Sequence, residues 1–233
     1  MATFLLIPGA GAGPWYWHRV APLLEQYGHT VITPDLPVDD DTAGFAEYTD
    51  TAVAALPDPV MQPLVVVGQS MGAYTAVRTC ERVSAALLVL TCPMIPRPGE
   101  SGGEWWASTR QPDAAREYAN AQGRDPDAPF DPLELFLHDV SREVVTDSAA
   151  HVRDQSETPF AAGWDGPDWP AVPTRVIAGR YDRLFPLGFM QGLSRERLGI
   201  EPDVIDSGHL SALARPDDLT ALLIGYLAEL KVA

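Results

Sequence analysis

One stretch of the chain joins an apolar run to a helix-compatible segment: Leu64-Val65-Val66-Val67-Gly68-Gln69-Ser70-Met71-Gly72-Ala73. The apolar run shows no alternation and is mostly β-branched, which is typical of a strand buried on both faces of a parallel sheet. The segment that follows, 73–82, is compatible with a helix. The stretch therefore predicts a strand, a sharp turn at Ser70 and a helix, in that order.

Five further apolar runs have the same character and predict the remaining strands: 4–7, 30–33, 86–90, 175–178 and 203–205. Between the early runs, the stretches 17–27 and 45–56 have apolar residues at helical spacing and predict helices. Strands that alternate with helices indicate an α/β fold. We therefore predict a mainly parallel sheet of about six strands, flanked by helices on both faces.

The alternation breaks in the middle of the chain, where residues 92–173 contain no convincing strand. This segment is rich in aromatic residues and proline, and its stretches 133–139 and 143–153 read as short helices. We predict an α/β core formed by residues 1–90 and 172–233, with a helical cap inserted at 91–171. The cap is expected over the C-terminal edge of the sheet, where open α/β sheets bind ligands. The alternative is a second small helical domain packed elsewhere.

Composition limits the classes of partner and the cellular setting. The chain has 32 acidic and 16 basic residues, and its net charge of −16 disfavours nucleic acids and anionic membrane surfaces. Cys80 and Cys92 are too few for a disulfide framework or a cysteine zinc cluster. We see neither a secretory signal nor an apolar run of about 20 residues. The expectation is a soluble cytoplasmic protein with no cofactor or metal. Its expected partners are a small molecule and, in a homodimer, a second copy of the chain.

Ser70 is the candidate nucleophile. It stands at the centre of Gly68-Gln69-Ser70-Met71-Gly72, a G-x-S-x-G motif in the strand–turn–helix setting that this motif requires. The sharp turn exposes the hydroxyl, and glycines on either side lack the Cβ atoms that would clash with the adjoining strand and helix. The following helix N-terminus presents free N–H groups and a positive dipole end. The alternative is a Gly/Ser turn without chemistry.

A serine needs a base to remove its proton, and His209 is the candidate. It follows the last apolar run, whereas the other histidines lie near the first helix or in the insertion: His18, His29, His138 and His151. The chain order nucleophile, acid, base leaves room for an acid between Ser70 and His209. Asp182, which follows the run 175–178, is the candidate that orients His209. Asp206 is the rival, and a surface aspartate paired with a neighbouring arginine is the structural alternative.

With these sites, the chain resembles the α/β-hydrolase superfamily over nearly its whole length. Three further stretches make it similar to the branch of small esterases and hydroxynitrile lyases: Pro8-Gly9-Ala10-Gly11-Ala12-Gly13-Pro14-Trp15-Tyr16-Trp17, Gly28-His29-Thr30-Val31 and Asp35-Leu36-Pro37. Members of that branch usually carry His-Gly where this chain has Pro8-Gly9. The departure bears on the shape of this loop.

Acyl transfer builds negative charge on an oxygen, and backbone N–H groups must stabilise it. One donor is expected from Met71, the residue after the nucleophile. The resemblance implies that the second donor is the Ala10 N–H, with Gly11 as the alternative if Pro8 changes the loop. The same loop partly matches a dinucleotide-binding fingerprint, since Gly9-x-Gly11 is followed by Asp35 at a suitable distance. Pro14 at the position of the third glycine argues against that interpretation.

The expected activity is hydrolysis of a carboxylic ester of a small, largely apolar substrate through an acyl-enzyme. Hydroxynitrile lyases of this resemblance place a lysine in the pocket, but the only lysine here is Lys231. Relatives that hydrolyse epoxides or haloalkanes carry Asp where this chain has Ser70. Two alternatives stay open: a lyase-like C–C cleavage and a non-catalytic ligand-binding member of the fold.

Overall fold

The computed structural model describes residues 1–166, residue 169 and residues 171–230. Its centre is a six-stranded sheet with the order β2-β1-β3-β4-β5-β6, in which every neighbouring pair is parallel. The strands are β1 Thr3–Ile7, β2 Thr30–Ile32, β3 Leu64–Gln69, β4 Leu87–Thr91, β5 Thr174–Gly179 and β6 Asp203–Ile205. The α/β fold and the number of strands predicted from the apolar runs are confirmed.

Helices connect the strands and form the segment between β4 and β5. Those of the core are α1 Ala21–Gln26, α2 Phe45–Ala54, α3 Gly72–Arg82, α9 Leu187–Leu198, α10 Ser211–Ala214 and α11 Pro216–Leu230. Those between β4 and β5 are α4 Gly102–Ser108, α5 Gln111–Ala121, α6 Pro132–Leu135, α7 Arg142–Ser148 and α8 Thr158–Ala161. No helix within the described residues is both long and apolar enough to cross a membrane.

The sheet separates two hydrophobic cores, and alternate strand residues serve each one. Leu5 of β1 packs into the core beneath α2, α3 and α9, whereas Leu6 packs into the core beneath α1 and α11. Both residues are fully buried. This explains why the central strands read as continuous apolar runs, since both faces of β1, β3 and β4 are buried.

Strand order brings two loops together at the C-terminal edge. The chain moves from β1 to β2 in one direction and then crosses to β3 on the other side of β1. Ile7 at the end of β1 pairs with Gly68 near the end of β3, so the loops after these strands are neighbours. Such a reversal creates the crevice in which open α/β sheets bind ligands.

The structure corrects three of the predicted helices and adds others. Residues 17–27 are not one helix but a 3₁₀ turn over Pro14–Trp17 followed by α1, because Pro22 lacks the N–H that a continuous helix would need. The helices predicted at 133–139 and 143–153 are the shorter α6 and α7. Three helices of the cap, α4, α5 and α8, lie in stretches for which the sequence predicted no element.

Two glycines allow β3, α3 and the loop after β1 to pack tightly around Ser70. A Cβ at Gly72 would lie 2.3 Å from the Pro8 carbonyl oxygen. A Cβ at Gly68 would lie 2.7 Å from the Cβ of Ala76 on α3. Both distances are far below van der Waals contact, and the Gly72 clash is with backbone that a side-chain rotation cannot relieve. The G-x-S-x-G spacing is therefore a packing requirement.

We expect Gly72→Ala to lower the free energy of unfolding by about 1–3 kcal/mol, because the new methyl group overpacks the contact with Pro8. The control is Gly192→Ala on the exposed side of α9, where an added Cβ meets nothing within 4 Å. That change should raise stability by up to about 1 kcal/mol through helix propensity. Urea denaturation of both variants tests the pair, and equal stabilities would contradict the packing argument.

Candidate active site

Ser70 adopts the strained backbone that its motif predicts. Its φ of +52° lies in the left-handed region, which L-residues with a side chain rarely occupy. Two bonds hold this conformation: the Ser70 N–H donates to the Thr91 carbonyl at 3.0 Å, and the Met94 N–H donates to the Ser70 carbonyl at 3.1 Å. The end of β4 therefore fixes the turn, and the partly exposed Ser70 faces a cavity.

His209 and Asp182 form a buried pair beside this cavity. The His209 Nδ1 lies 2.8 Å from the Asp182 Oδ2, and the two side chains are 2% and 0% exposed. The other carboxylate oxygen of Asp182 accepts 2.8 Å hydrogen bonds from the N–H groups of Leu184 and Phe185. Both oxygens are thus satisfied, as a buried carboxyl group requires. Asp182 contacts only the Nδ1 of His209, so Nε2 is the ring nitrogen that remains for a proton transfer.

The structure distinguishes Asp182 from the rival acid, Asp206, and from a surface aspartate paired with a neighbouring arginine. Asp206 is exposed and accepts a 2.5 Å bond from the Arg180 Nε. Arg183 pairs with Glu134 at 2.6 Å rather than with Asp182. Asp182 therefore faces the candidate base, while its arginine neighbours pair with other acidic side chains.

The two predicted backbone donors, Ala10 and Met71, line the same cavity as Ser70 and His209. Among the described residues, neither N–H meets a protein acceptor within hydrogen-bond distance. The alternative donor is engaged, since the Gly11 N–H donates to the Gln155 Oε1 at 3.0 Å. Of the two loop candidates, the geometry therefore leaves Ala10 available.

The cavity has a volume of about 530 Å³, and mainly apolar side chains line it. Four of the aromatic residues of the predicted cap take part: Trp106, Phe130, Phe136 and Phe160. Two others anchor the cap instead: Trp105 is fully buried with its ring centroid 5.2 Å from that of Phe185, and Trp164 packs edge-on against Tyr74. Residues of 91–171 thus line the cavity beside Ser70, and their assignment as a cap domain with these boundaries stays a prediction.

Cys92 is a third group beside the buried pair. Its Sγ, an oxygen of Asp182 and a nitrogen of His209 lie within 4.8 Å of one another. Burial and then the negative charge of Asp182 raise the pKa of the Cys92 thiol well above its usual range. A metal ion binds the thiolate, so a protonated Cys92 fits a hydrogen-bonded group better than a metal ligand.

Sequence reasoning missed three polar residues that support the site. Gln69 donates to the His209 carbonyl at 3.4 Å, and Gln155 accepts from Gly11. Asp139 accepts a 2.6 Å bond from the Gly208 N–H, which ties the cap to the loop that carries His209. Gln155 and Asp139 are distant in sequence from their partners and belong to no motif, so no local signal could have identified them.

Comparison with known proteins places this geometry in a family. The model of the alpha/beta hydrolase family matches residues 4–222, and the chain belongs to that family. Norfluorocurarine synthase 1 from a Strychnos species is 23% identical over 94% of this chain and 93% of its own. Polyneuridine aldehyde esterase from Rauvolfia serpentina is 30% identical over 42% of this chain and 41% of its own. The methylesterase MES16 structure from Arabidopsis superposes with a TM-score of 0.74 at 19% identity, covering 98% and 99% of the two chains.

We expect both thiols to resist modification in the folded protein. Burial raises the pKa of Cys80 to about 12, and the pKa of Cys92 is also raised. At about pH 8 both groups therefore stay protonated, and the thiolate is the reactive form. Titration with Ellman's reagent should detect no thiol in native protein and two in denaturant. Fast stoichiometric reaction of the native protein would contradict the burial of these side chains.

Proposed function

We propose that this protein is a serine hydrolase that cleaves the carboxylic ester of a small, largely apolar substrate. The observation that carries the proposal is the arrangement around one cavity: a strained, partly exposed Ser70 and a buried His209 held by Asp182 at 2.8 Å. Membership of the alpha/beta hydrolase family supports the same reaction class. Esterases among the relatives, named above, favour ester over amide cleavage.

In the proposed reaction His209 is the general base and Ser70 the nucleophile. His209 takes the hydroxyl proton through Nε2 as the Ser70 Oγ attacks the ester carbonyl. The tetrahedral intermediate collapses when His209 returns that proton to the leaving alcohol, which leaves an acyl group on Ser70. Water activated by His209 then releases the acid. Asp182 holds the Nδ1–H tautomer and stabilises the imidazolium that forms in each half-reaction.

The N–H groups of Ala10 and Met71 are the proposed oxyanion donors. Both residues line the cavity with Ser70, and the Met71 N–H lies at the start of α3, where the helix dipole is positive. Donors that are already oriented pay no reorganisation cost when the charge develops. Loss of one such donor typically slows turnover by about 10²- to 10³-fold.

The cavity supports an apolar substrate. Its wall includes Phe136, whose ring centroid lies 5.5 Å from that of His209, so an apolar group of the substrate would sit next to the reacting carbonyl. The protein carries a net charge of −16, which favours neutral esters over anionic ones. Lys231, the only lysine, lies outside the described residues and supplies no evidence for a lyase site.

We expect a fluorophosphonate to label Ser70, because this reagent reports an activated serine rather than a particular ester. Intact mass should show one adduct, and peptide mapping should place it on residue 70. The His209→Ala protein is the control and should stay unlabelled. A folded wild-type protein without an adduct would argue for the ligand-binding alternative.

We expect Ser70→Ala, His209→Ala and Asp182→Asn to lower kcat/KM for a p-nitrophenyl ester by about 10³-fold or more, because triad groups act as a unit. Ser84→Ala is the matched serine control, since Ser84 is exposed between α3 and β4. Circular dichroism would verify folding. Full activity in the three folded variants would exclude the proposed mechanism.

A further inference from the structure

A short segment of the cap, residues 153–158, runs between two loops of the core, and we refer to it as the strap. Towards the loop after β2, the Arg153 side chain pairs with Asp35 and Asp39 at 2.6 Å each. In the same direction the Ser156 N–H donates to the Val38 carbonyl at 2.7 Å, and the Thr158 hydroxyl donates to the Asp41 carbonyl at 2.7 Å. The strap is therefore attached to the core by both charged and neutral contacts.

At the loop after β1, the strap makes two hydrogen bonds with a single residue, Gly11. The Arg153 N–H donates to the Gly11 carbonyl at 3.1 Å, and the Gly11 N–H donates to the Gln155 Oε1 at 3.0 Å. Gly11 has a φ of +63°, and a Cβ there would lie 2.9 Å from the Arg153 carbonyl oxygen. Both polar groups of Gly11 are thus used by the strap, in a conformation suited to glycine.

Gln155 is itself held in place. Its Nε2 donates to the Ser156 carbonyl at 3.0 Å and to the Tyr48 hydroxyl at 3.1 Å. Tyr48 lies on α2 and is only 1% exposed, so this anchor belongs to the core. The side chain therefore bridges α2 and the loop after β1, and its orientation follows from three hydrogen bonds.

We infer that Gln155 is a positioning residue for the oxyanion hole, acting through the Gly11 N–H. The inference rests on the proposed function. Gly11 directly follows Ala10, so the orientation of the Gly11 peptide limits the orientation of the Ala10 N–H. Gln155 also engages the Gly11 N–H, which keeps that group from competing for the oxyanion. Gln155 itself lines the cavity, and the contribution to transition-state stabilisation that we infer runs through its bond to the Gly11 N–H.

A positioning role for Gln155 and simple attachment of the cap predict different effects on the kinetic constants. A loosened oxyanion donor weakens binding of the transition state more than binding of the ground-state ester. A loosened cap would instead change the cavity that both states occupy. Two measurements therefore distinguish the positioning role from cap attachment. The first is whether kcat changes without KM, and the second is the affinity for a ketone that forms a tetrahedral adduct.

The test compares Gln155→Met, which removes both the acceptor and the donor while keeping the side-chain length, with two controls. Thr158→Val removes a strap–core bond that does not involve Gly11, and Gln122→Met changes an exposed glutamine at the end of α5. For Gln155→Met we expect kcat to fall about tenfold to a hundredfold, with KM changed less than about twofold. The inhibition constant of an aryl trifluoromethyl ketone should rise by the same factor as kcat falls. Both controls should stay within about twofold of wild type.

Tyr48→Phe is the second variant, which keeps the inference testable if Gln155→Met does not fold. It removes the core anchor of the Gln155 amide and should lower kcat in the same direction by a smaller factor. Unchanged kcat in folded Gln155→Met, or in Tyr48→Phe if only that variant folds, would overturn the inference. An equal loss in Thr158→Val would do the same, because the effect would then belong to cap attachment. Loss of activity in Ser70→Ala separates these outcomes from failure of the proposed function itself.

Discussion

The close approach of the Gly72 backbone to the Pro8 carbonyl is the constraint on which the site depends. At this point the start of α3 touches the loop after β1, and a Cβ at residue 72 would come within 2.3 Å of that oxygen. The contact sets the distance between the turn that carries Ser70 and the loop that carries Ala10. Because β1 and β3 are paired up to Ile7 and Gly68, neither partner can shift without disturbing the centre of the sheet. The proposed nucleophile, Ser70, and the proposed oxyanion donor, Ala10, are therefore held by one rigid part of the fold.

Polar interactions near the site fall into two energetic classes. The ion pair between Arg180 and Asp206 is exposed, and pairs of this kind contribute about 0–1 kcal/mol. The hydrogen-bonded pair of His209 and Asp182 is almost entirely removed from water, where the cost of burying the carboxyl group offsets much of what its hydrogen bonds contribute. Stability alone therefore gives weak reason to bury such a pair. Its geometry serves the proposed chemistry, since the bond to Nδ1 fixes the ring that faces the cavity.

The parts of the structure that sequence could predict are those with local causes. Apolar runs indicated the strands, and the glycines around Ser70 indicated the turn, because each pattern reflects a steric or burial requirement within a few residues. The cap was harder to predict: Ser101 and Glu104 form a capping box that marks the start of α4, but glycines follow Ser101 at the first two helical positions, and glycine has low helix propensity. Gln155 could not be found in this way, since its partner Gly11 is 144 residues away. The contact between Gln155 and Gly11 forms only when the cap lies over the sheet.

Because of the insertion between β4 and β5, the first four strands of the sheet are synthesised well before the last two. Strands β1 to β4 lie in the first 91 residues and are adjacent in the sheet, whereas β5 and β6 follow the whole insertion. A chain emerging from the ribosome therefore presents the Ser70 turn long before Asp182 and His209 are made. Until the last two strands dock beside β4, Ser70 lacks both its proposed base, His209, and the proposed acid, Asp182. Under the proposed mechanism, we therefore expect the chain to gain its activity only after β5 and β6 have joined the sheet.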